Sequence, residues 1–294
     1  MAKYSRTMSM DLLKKIVEGN EYEGVVLGHE NCPQYYRQSN VNEMIDYALE
    51  NGLDVKLNIP VLFEDFLQEF KDIADEIVAK YDQKVKIIVN DWGILFYLHG
   101  KYPDLRFCAG KGISFSYGDN PWNEHILLAE KEKYQEALKS VNMENEDTIA
   151  ALRELGVDEI EMGDLELSEH AYKHLSDKGF IITVNKWMSI ATMSRACHCL
   201  RFLDKVDEMG KCIKYCTKPI TVSIKQYFDM AETRNKPVSH ETKQIQPDMY
   251  IDGNITMVIN DKCANDFSNV NNVIYDERIM RYILSSSVAK KIVL

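Results

Sequence analysis

Short apolar runs alternate with amphipathic helical stretches through the first two-thirds of this chain, and no other feature restricts the fold as much. "GVVLGH" (Gly24 to His29) has the character of a buried strand. It is followed by "NVNEMIDYALENG", with apolar residues at helical spacing and Gly52 placed as a C-terminal stop. "DVKLNIP" is the next strand, and "VLFEDFLQEFKDIADEIVAKY" the next amphipathic helix. "KVKIIVNDWG" and "DLRFCAG" continue the pattern, and after a polar stretch "EDTIAALRELGVDEIEMGD" reads as helix, turn and strand. "SEHAYKHLSDKG" and "FIITVNKW" repeat it. Strands that alternate with helices imply parallel βαβ units, since a tight hairpin does not join them, so the chain reads as α/β. The period of roughly 30 residues suits an open doubly wound sheet or a closed (β/α) barrel.

From about Ser189 the character changes. A cysteine-bearing stretch is followed by polar sequence, and then by "MYIDGNITMVIN", a hairpin with Asp252-Gly253-Asn254 at its turn. No linker or low-complexity tract divides the chain. It is expected to form a single domain over residues 1–294. Residues 1–188 would be its barrel-like part, and 189–294 a cysteine-bearing segment with a C-terminal hairpin and helix appendage.

In parallel α/β folds, functional groups gather beyond the carboxyl ends of the strands. The polar residues there are His29 and Glu30, Asn58, Asn90 and Asp91, Lys111, Glu161 and Asp164, and Asn185 and Lys186. Taken singly, each Asn or Asp is a natural helix cap. As a converging set they would form a pocket for a polar or anionic small molecule. There is no Gly-x-Ser-x-Gly elbow, His-Glu-x-x-His, P-loop or dinucleotide-binding glycine motif, so hydrolytic or nucleotide-dependent chemistry has no positive support.

"RACHCLRFLDKVDEMGKCIKYC" (Arg195 to Cys216) holds four of the seven cysteines. The odd count argues against a disulfide framework. The N-terminal stretch has no apolar run of signal-peptide length, so the chain is expected in the cytoplasm, where thiols stay reduced. Cys199, Cys212 and Cys216 form C-x12-C-x3-C, with the last pair one helical turn apart. Clustered thiolates suit zinc or an iron–sulfur centre. Zinc knuckles use two tight pairs or a Cys pair with a His pair, whereas here there is one, so a cubane with a remote fourth ligand fits at least as well. The bland alternative is a set of buried small hydrophobes. A net charge of −11, from 35 basic and 46 acidic residues, disfavours nucleic acid as a partner, and no apolar stretch is long enough to span a membrane.

The C-x12-C-x3-C run after Ser194-Arg195 resembles the collagenase-like peptidase family of unassigned catalytic type, which includes the UbiU and UbiV proteins and the RNA-hydroxylating YegQ and YdcP relatives. "VVLGHENC" (Val25 to Cys32) is similar to the family's strand ending in Gly-Glu followed by a cysteine. "KIIVNDWGIL" (Lys86 to Leu95) is similar to its strand ending in Val-Asn-Asp-x-Gly. The likeness spans roughly Gly24 to Cys216, and in length and layout it is nearest to UbiV. It implies an incomplete or modified (β/α) barrel and a 4Fe–4S cluster on Cys32, Cys199, Cys212 and Cys216. It also implies oxygen-independent hydroxylation, or a related redox modification, of a small aromatic or quinone-type substrate, with prephenate as oxygen donor. His29, Glu30, Asn58, Asn90, Asp91 and Lys111 would hold the substrate.

Two departures stand out. The family's Gly-Glu reads Gly28-His29-Glu30 here, and "CHC" adds Cys197 as a second candidate ligand. Cys108 and Cys263 have no counterpart and are expected to be core or surface thiols. Two other functions are compatible with the residues. One is a non-catalytic electron-transfer or scaffold partner in a heterodimer with a UbiU-like homologue. The other is a zinc-stabilised hydrolase, as the family's name suggests.

Overall fold

A computed structural model describes residues 1–114, 141–213, 218–223, 248–260 and 263–283. Eight parallel strands close into a barrel. In chain order they begin with β1 (Ala2–Thr7), β2 (Gly24–Leu27), β3 (Asp54–Ile59), β4 (Val85–Val89), β5 (Phe107–Ala109), β6 (Val157–Gly163) and β7 (Ile181–Asn185). Before the eighth strand the chain makes a four-stranded antiparallel sheet from β8 (Met188–Met193), β9 (Ile220–Ser223), β10 (Asp248–Asp252) and β11 (Ile255–Ile259), in the order β8-β11-β10-β9. β12 (Asn272–Asp276) then enters the barrel between β7 and β1, with Ala2 opposite Asn272 and Arg6 opposite Asp276. The barrel is therefore closed, and its modification is the sheet inserted between its last two strands. Its eighth strand comes from beyond residue 189.

The helices follow from local chemistry. α1 (Met10–Gly19) starts where the Ser9 side chain accepts from the Leu12 N–H, and it stops at Asn20 in the left-handed region. The short α2 (Gln34–Arg37) precedes α3 (Val41–Glu50), which Asn40 caps through the Glu43 N–H. α4 (Glu64–Tyr81) buries Phe66, Phe70, Ala74 and Ile77 along one stripe. Among the described residues, α5 (Trp92–Lys101), α6 (Glu146–Glu154) and α7 (Glu169–Asp177) also lie outside the barrel strands. α8 (His198–Phe202) belongs to the insert, and α9 (Glu277–Ile283) follows β12 directly. No helix of the described residues is long and apolar enough to cross a membrane.

Between strands and helices lies the main apolar core. The barrel interior is layered differently. Tyr4, Val26, Ile88, Cys108 and Ile274 form an apolar middle layer of their own. Below it, towards the strand starts, Lys56 pairs with Glu159, Thr183 also donates to Glu159, and Tyr4 donates to Asp54. Above it, at the carboxyl ends, the interior is again polar and charged. This upper layer lies beside the inserted sheet.

Candidate functional site

Arg6 leaves β1 inward and crosses the barrel. Its Nη1 lies 3.0 Å from Glu30 Oε2, and its Nη2 lies 2.7 Å from Glu161 Oε1 on β6. Arg278, at the start of α9, answers from the other side, with Nη2 2.6 Å from Glu30 Oε1 and 2.7 Å from Asp276 Oδ2. Its Nη1 reaches Asp252 in the insert at 3.4 Å. All six side chains are buried. Burial opposes ionisation of Glu30, but the guanidiniums of Arg278 and Arg6 outweigh it and hold the carboxyl below its ordinary range. Asp276 is likewise opposed by burial and held low by Arg278. The stability these two provide is fully present above their ordinary values of 4.5 and 3.8 and is lost as pH falls through the depressed folded values. The urea midpoint should therefore fall steeply once pH drops below about 4. A midpoint unchanged down to about pH 3 would show that the network stabilises nothing.

The strand-end residues singled out from sequence reach this mouth in different roles. Asn90 donates to Asn58 Oδ1 at 2.6 Å and to the Ile59 carbonyl at 2.7 Å, and its own oxygen accepts from the Gly112 N–H. It ties three consecutive strand ends together. Asn58 keeps a buried Nδ2 with no hydrogen-bond partner. Asp91 caps α5 through the Gly93 N–H, and its second oxygen faces the exposed Arg195 at 3.4 Å. Lys111 is buried on the loop after β5. The His29 ring packs edge-on against Tyr35, with Nε2 3.6 Å from Glu277 Oε1, and neither ring nitrogen has a hydrogen-bond partner. Asp164 instead anchors the insert. It accepts from the Trp187 and Ala264 N–H groups and pairs with Lys186. Asn185 donates to Glu161 Oε1.

Arg6, Asp252, Asp276 and Arg278 are missing from the sequence-based set. The available signal was the dense charge of Asp276-Glu277-Arg278 directly after the apolar "NVIY".

Next to this mouth, three segments converge on the β10–β11 turn. Gly253 there has a positive φ of 61°, and its carbonyl accepts from the His198 N–H at 2.8 Å, the Cys199 N–H at 3.1 Å and the Cys197 thiol at 3.4 Å. The Cys199 thiol donates to the Ile251 carbonyl. On the opposite side, the Asn31 carbonyl accepts from the Asn254 N–H, and the Asn31 amide donates to the Asp252 carbonyl. A Cβ on Gly253 would sit 3.2 Å from the Cβ of Cys32. Cys32, Cys197 and Cys199 are thus gathered about one turn. A hydrogen bond from Cys199, helped by the Leu200 N–H and opposed by burial, lowers the Cys197 thiol to about 7. A 3₁₀ turn (Val206–Lys211) leads to Cys212, and the carbonyl of the next residue, Ile213, accepts from Gln38 just beyond α2. His198 is engaged through its ring by Ser194 and Thr256. Cys216 lies outside the described residues. Cys108 is buried inside the barrel, where burial pushes its thiol well up, and Cys263 donates to the Asn260 carbonyl.

No protein-family model, curated protein or solved structure matched this chain.

Its chemistry therefore rests on its own residues. Buried thiols with one lowered pKa are suitable donors for a soft or borderline metal. Among the described residues, however, no group of three or more Cys, His, Asp or Glu side chains is close enough to hold an ion. The described thiols bring the donors to one place without closing a three-donor site by themselves.

Proposed function

We propose that this chain is an iron–sulfur protein akin to the collagenase-like peptidase family, with a 4Fe–4S cluster on Cys32, Cys199, Cys212 and Cys216. Its task would be oxygen-independent hydroxylation, or a related redox modification, of a small aromatic or quinone-type substrate in the barrel mouth. The observation that carries this reading is the convergence of Cys32, from the end of the second strand, with Cys197 and Cys199, from the insert, around the Gly253 turn. Residues far apart in sequence have been brought together where a charged, buried barrel end begins. A cluster held there would supply electrons one at a time. The chain's own residues would do the rest. Asn58, Glu161 and Asn185 offer polar atoms to a ligand, and the apolar layer around Val26 and Ile88 closes the barrel beneath it.

A second reading is an electron-transfer subunit paired with a UbiU-like homologue. It is favoured by exposed apolar side chains on and beside the segment joining Cys199 to Cys212, where Phe202, Leu203, Val206 and Ile213 all face solvent. Full turnover by the isolated chain would remove that reading.

The test is iron and sulfide content of oxygen-free single Cys→Ala variants. Cys32→Ala, Cys199→Ala, Cys212→Ala and Cys216→Ala should each lose most iron and the broad visible absorption. Cys108→Ala and Cys263→Ala should keep both. Cys197→Ala separates the two members of the C-x-C pair. Stoichiometric zinc without sulfide in the wild-type protein would end the iron–sulfur reading.

A further inference from the structure

Glu161 is the side chain at the barrel mouth whose bonding is lopsided. Its Oε1 takes both the Arg6 guanidinium, at 2.7 Å, and the Asn185 amide. Its Oε2 is buried with no hydrogen-bond partner, and so is the Oδ1 of the neighbouring Asn185. A buried carboxylate oxygen without a donor is costly, and two bare acceptors on hydrogen-bonded neighbours call for a donor from outside the chain. The charge balance agrees. Among the described residues, the four carboxylates of Glu30, Glu161, Asp252 and Asp276 face the two guanidiniums of Arg6 and Arg278. Across the mouth, Asn58 Nδ2 is also buried and without a partner, an independent sign that a polar ligand belongs here.

We infer that the barrel mouth binds a small molecule through a primary ammonium group, which donates to Glu161 Oε2 and Asn185 Oδ1. The amide of Asn58 is left to meet an acceptor elsewhere on the ligand. A cation both fills the bare oxygens and offsets part of the surplus negative charge. Of the polar or anionic small molecule expected from the strand-end residues alone, this keeps the polar ligand and gives it a positive charge. It rests on the mouth being a ligand site, as in the function proposed above, and is independent of the cluster.

The experiment uses three probes with one hydrocarbon body: cyclohexylamine, cyclohexanol and cyclohexanecarboxylate. Each is titrated by calorimetry into the wild-type chain and into Glu161→Gln and Asn185→Ala. The amine should bind at least about tenfold more tightly than the carboxylate, with the alcohol between them. Each variant should weaken amine binding on the order of tenfold and leave the alcohol nearly unaffected. Asn185→Ala keeps the Arg6–Glu161 pair intact, so it decides the matter if Glu161→Gln does not fold. The proposal is overturned if the carboxylate binds as tightly as the amine, if both variants keep full amine affinity, or if the wild type binds no amine. Iron content is read on the same samples, and Cys199→Ala is titrated alongside. Amine binding that survives loss of iron, or iron that stays while no amine binds, tells the two proposals apart.

Discussion

Arg6→Leu should lose about 3–5 kcal/mol of stability, because it strips the guanidinium from carboxylates that stay buried. Arg6 is the link between Glu30 and Glu161, with Asp276 also within 3.7 Å. Arg278 can still serve Glu30 and Asp276 after the change, but no other described ion pair reaches Glu161. The melting temperature of a chain this size should fall on the order of 10 °C. A double variant, Arg6→Leu with Glu161→Leu, should recover part of that loss, since the stranded carboxylate leaves with its partner. Thermal and urea unfolding of both variants measure this. A loss below about 1 kcal/mol for Arg6→Leu would mean that the buried network is far more hydrated than its geometry implies.

The second large effect is expected at Gly253. An alanine there must hold a backbone φ of 61° that side chains avoid, and its Cβ would lie 2.8 Å from the Asn31 carbonyl. Strain and contact together should cost about 1–3 kcal/mol. The functional consequence is sharper. Relief requires the turn to back away from Asn31 and Cys32, carrying with it the carbonyl that positions Cys197 and Cys199. Under the function proposed above, Gly253→Ala should therefore lose iron even where the chain still folds. Gly52→Ala is the control, with a similar φ of 78° and nothing within 4 Å of the added carbon. It should cost no more than about 1 kcal/mol and keep its iron. Equal iron in both variants would detach the turn from the proposed cluster.

The strands from β2 to β7 are legible because each buries apolar residues in the core, even β6, where Glu159 and Glu161 interrupt the run. The hairpin is equally plain from Asp252-Gly253-Asn254. β1 escapes the same reading for a physical reason. Lys3, Ser5 and Arg6 interrupt "AKYSRT", and Arg6 is apolar neither in type nor in surroundings, because its neighbours are carboxylates from distant strands. A residue buried by partners remote in sequence looks like a surface residue. The same holds for Asp276 and Arg278, and β12 is further disguised by the inserted sheet ahead of it. Strand-end position was enough to select Asn58, Asn90 and Glu30. It could not tell that Asn90 fastens loops while Asn58 leaves an amide bare, since that depends on which amide reaches which carbonyl across neighbouring strands.

The pairing of β1 with β12 also sets an order of events during folding. Residues 2 and 272 lie side by side, so the barrel cannot close until nearly all of the described chain has been synthesised. Until then β1 and β7 present unpaired edges, exposed to wrong partners. The cysteine-bearing insert lies inside that long loop, between β7 and β12. Its hairpin can form locally and dock on Asn31 before the last strand arrives. Closing the ring then means threading one short strand into a slot whose walls are already standing. Any factor that holds the insert against the end of β2 shortens the effective loop and speeds that final step.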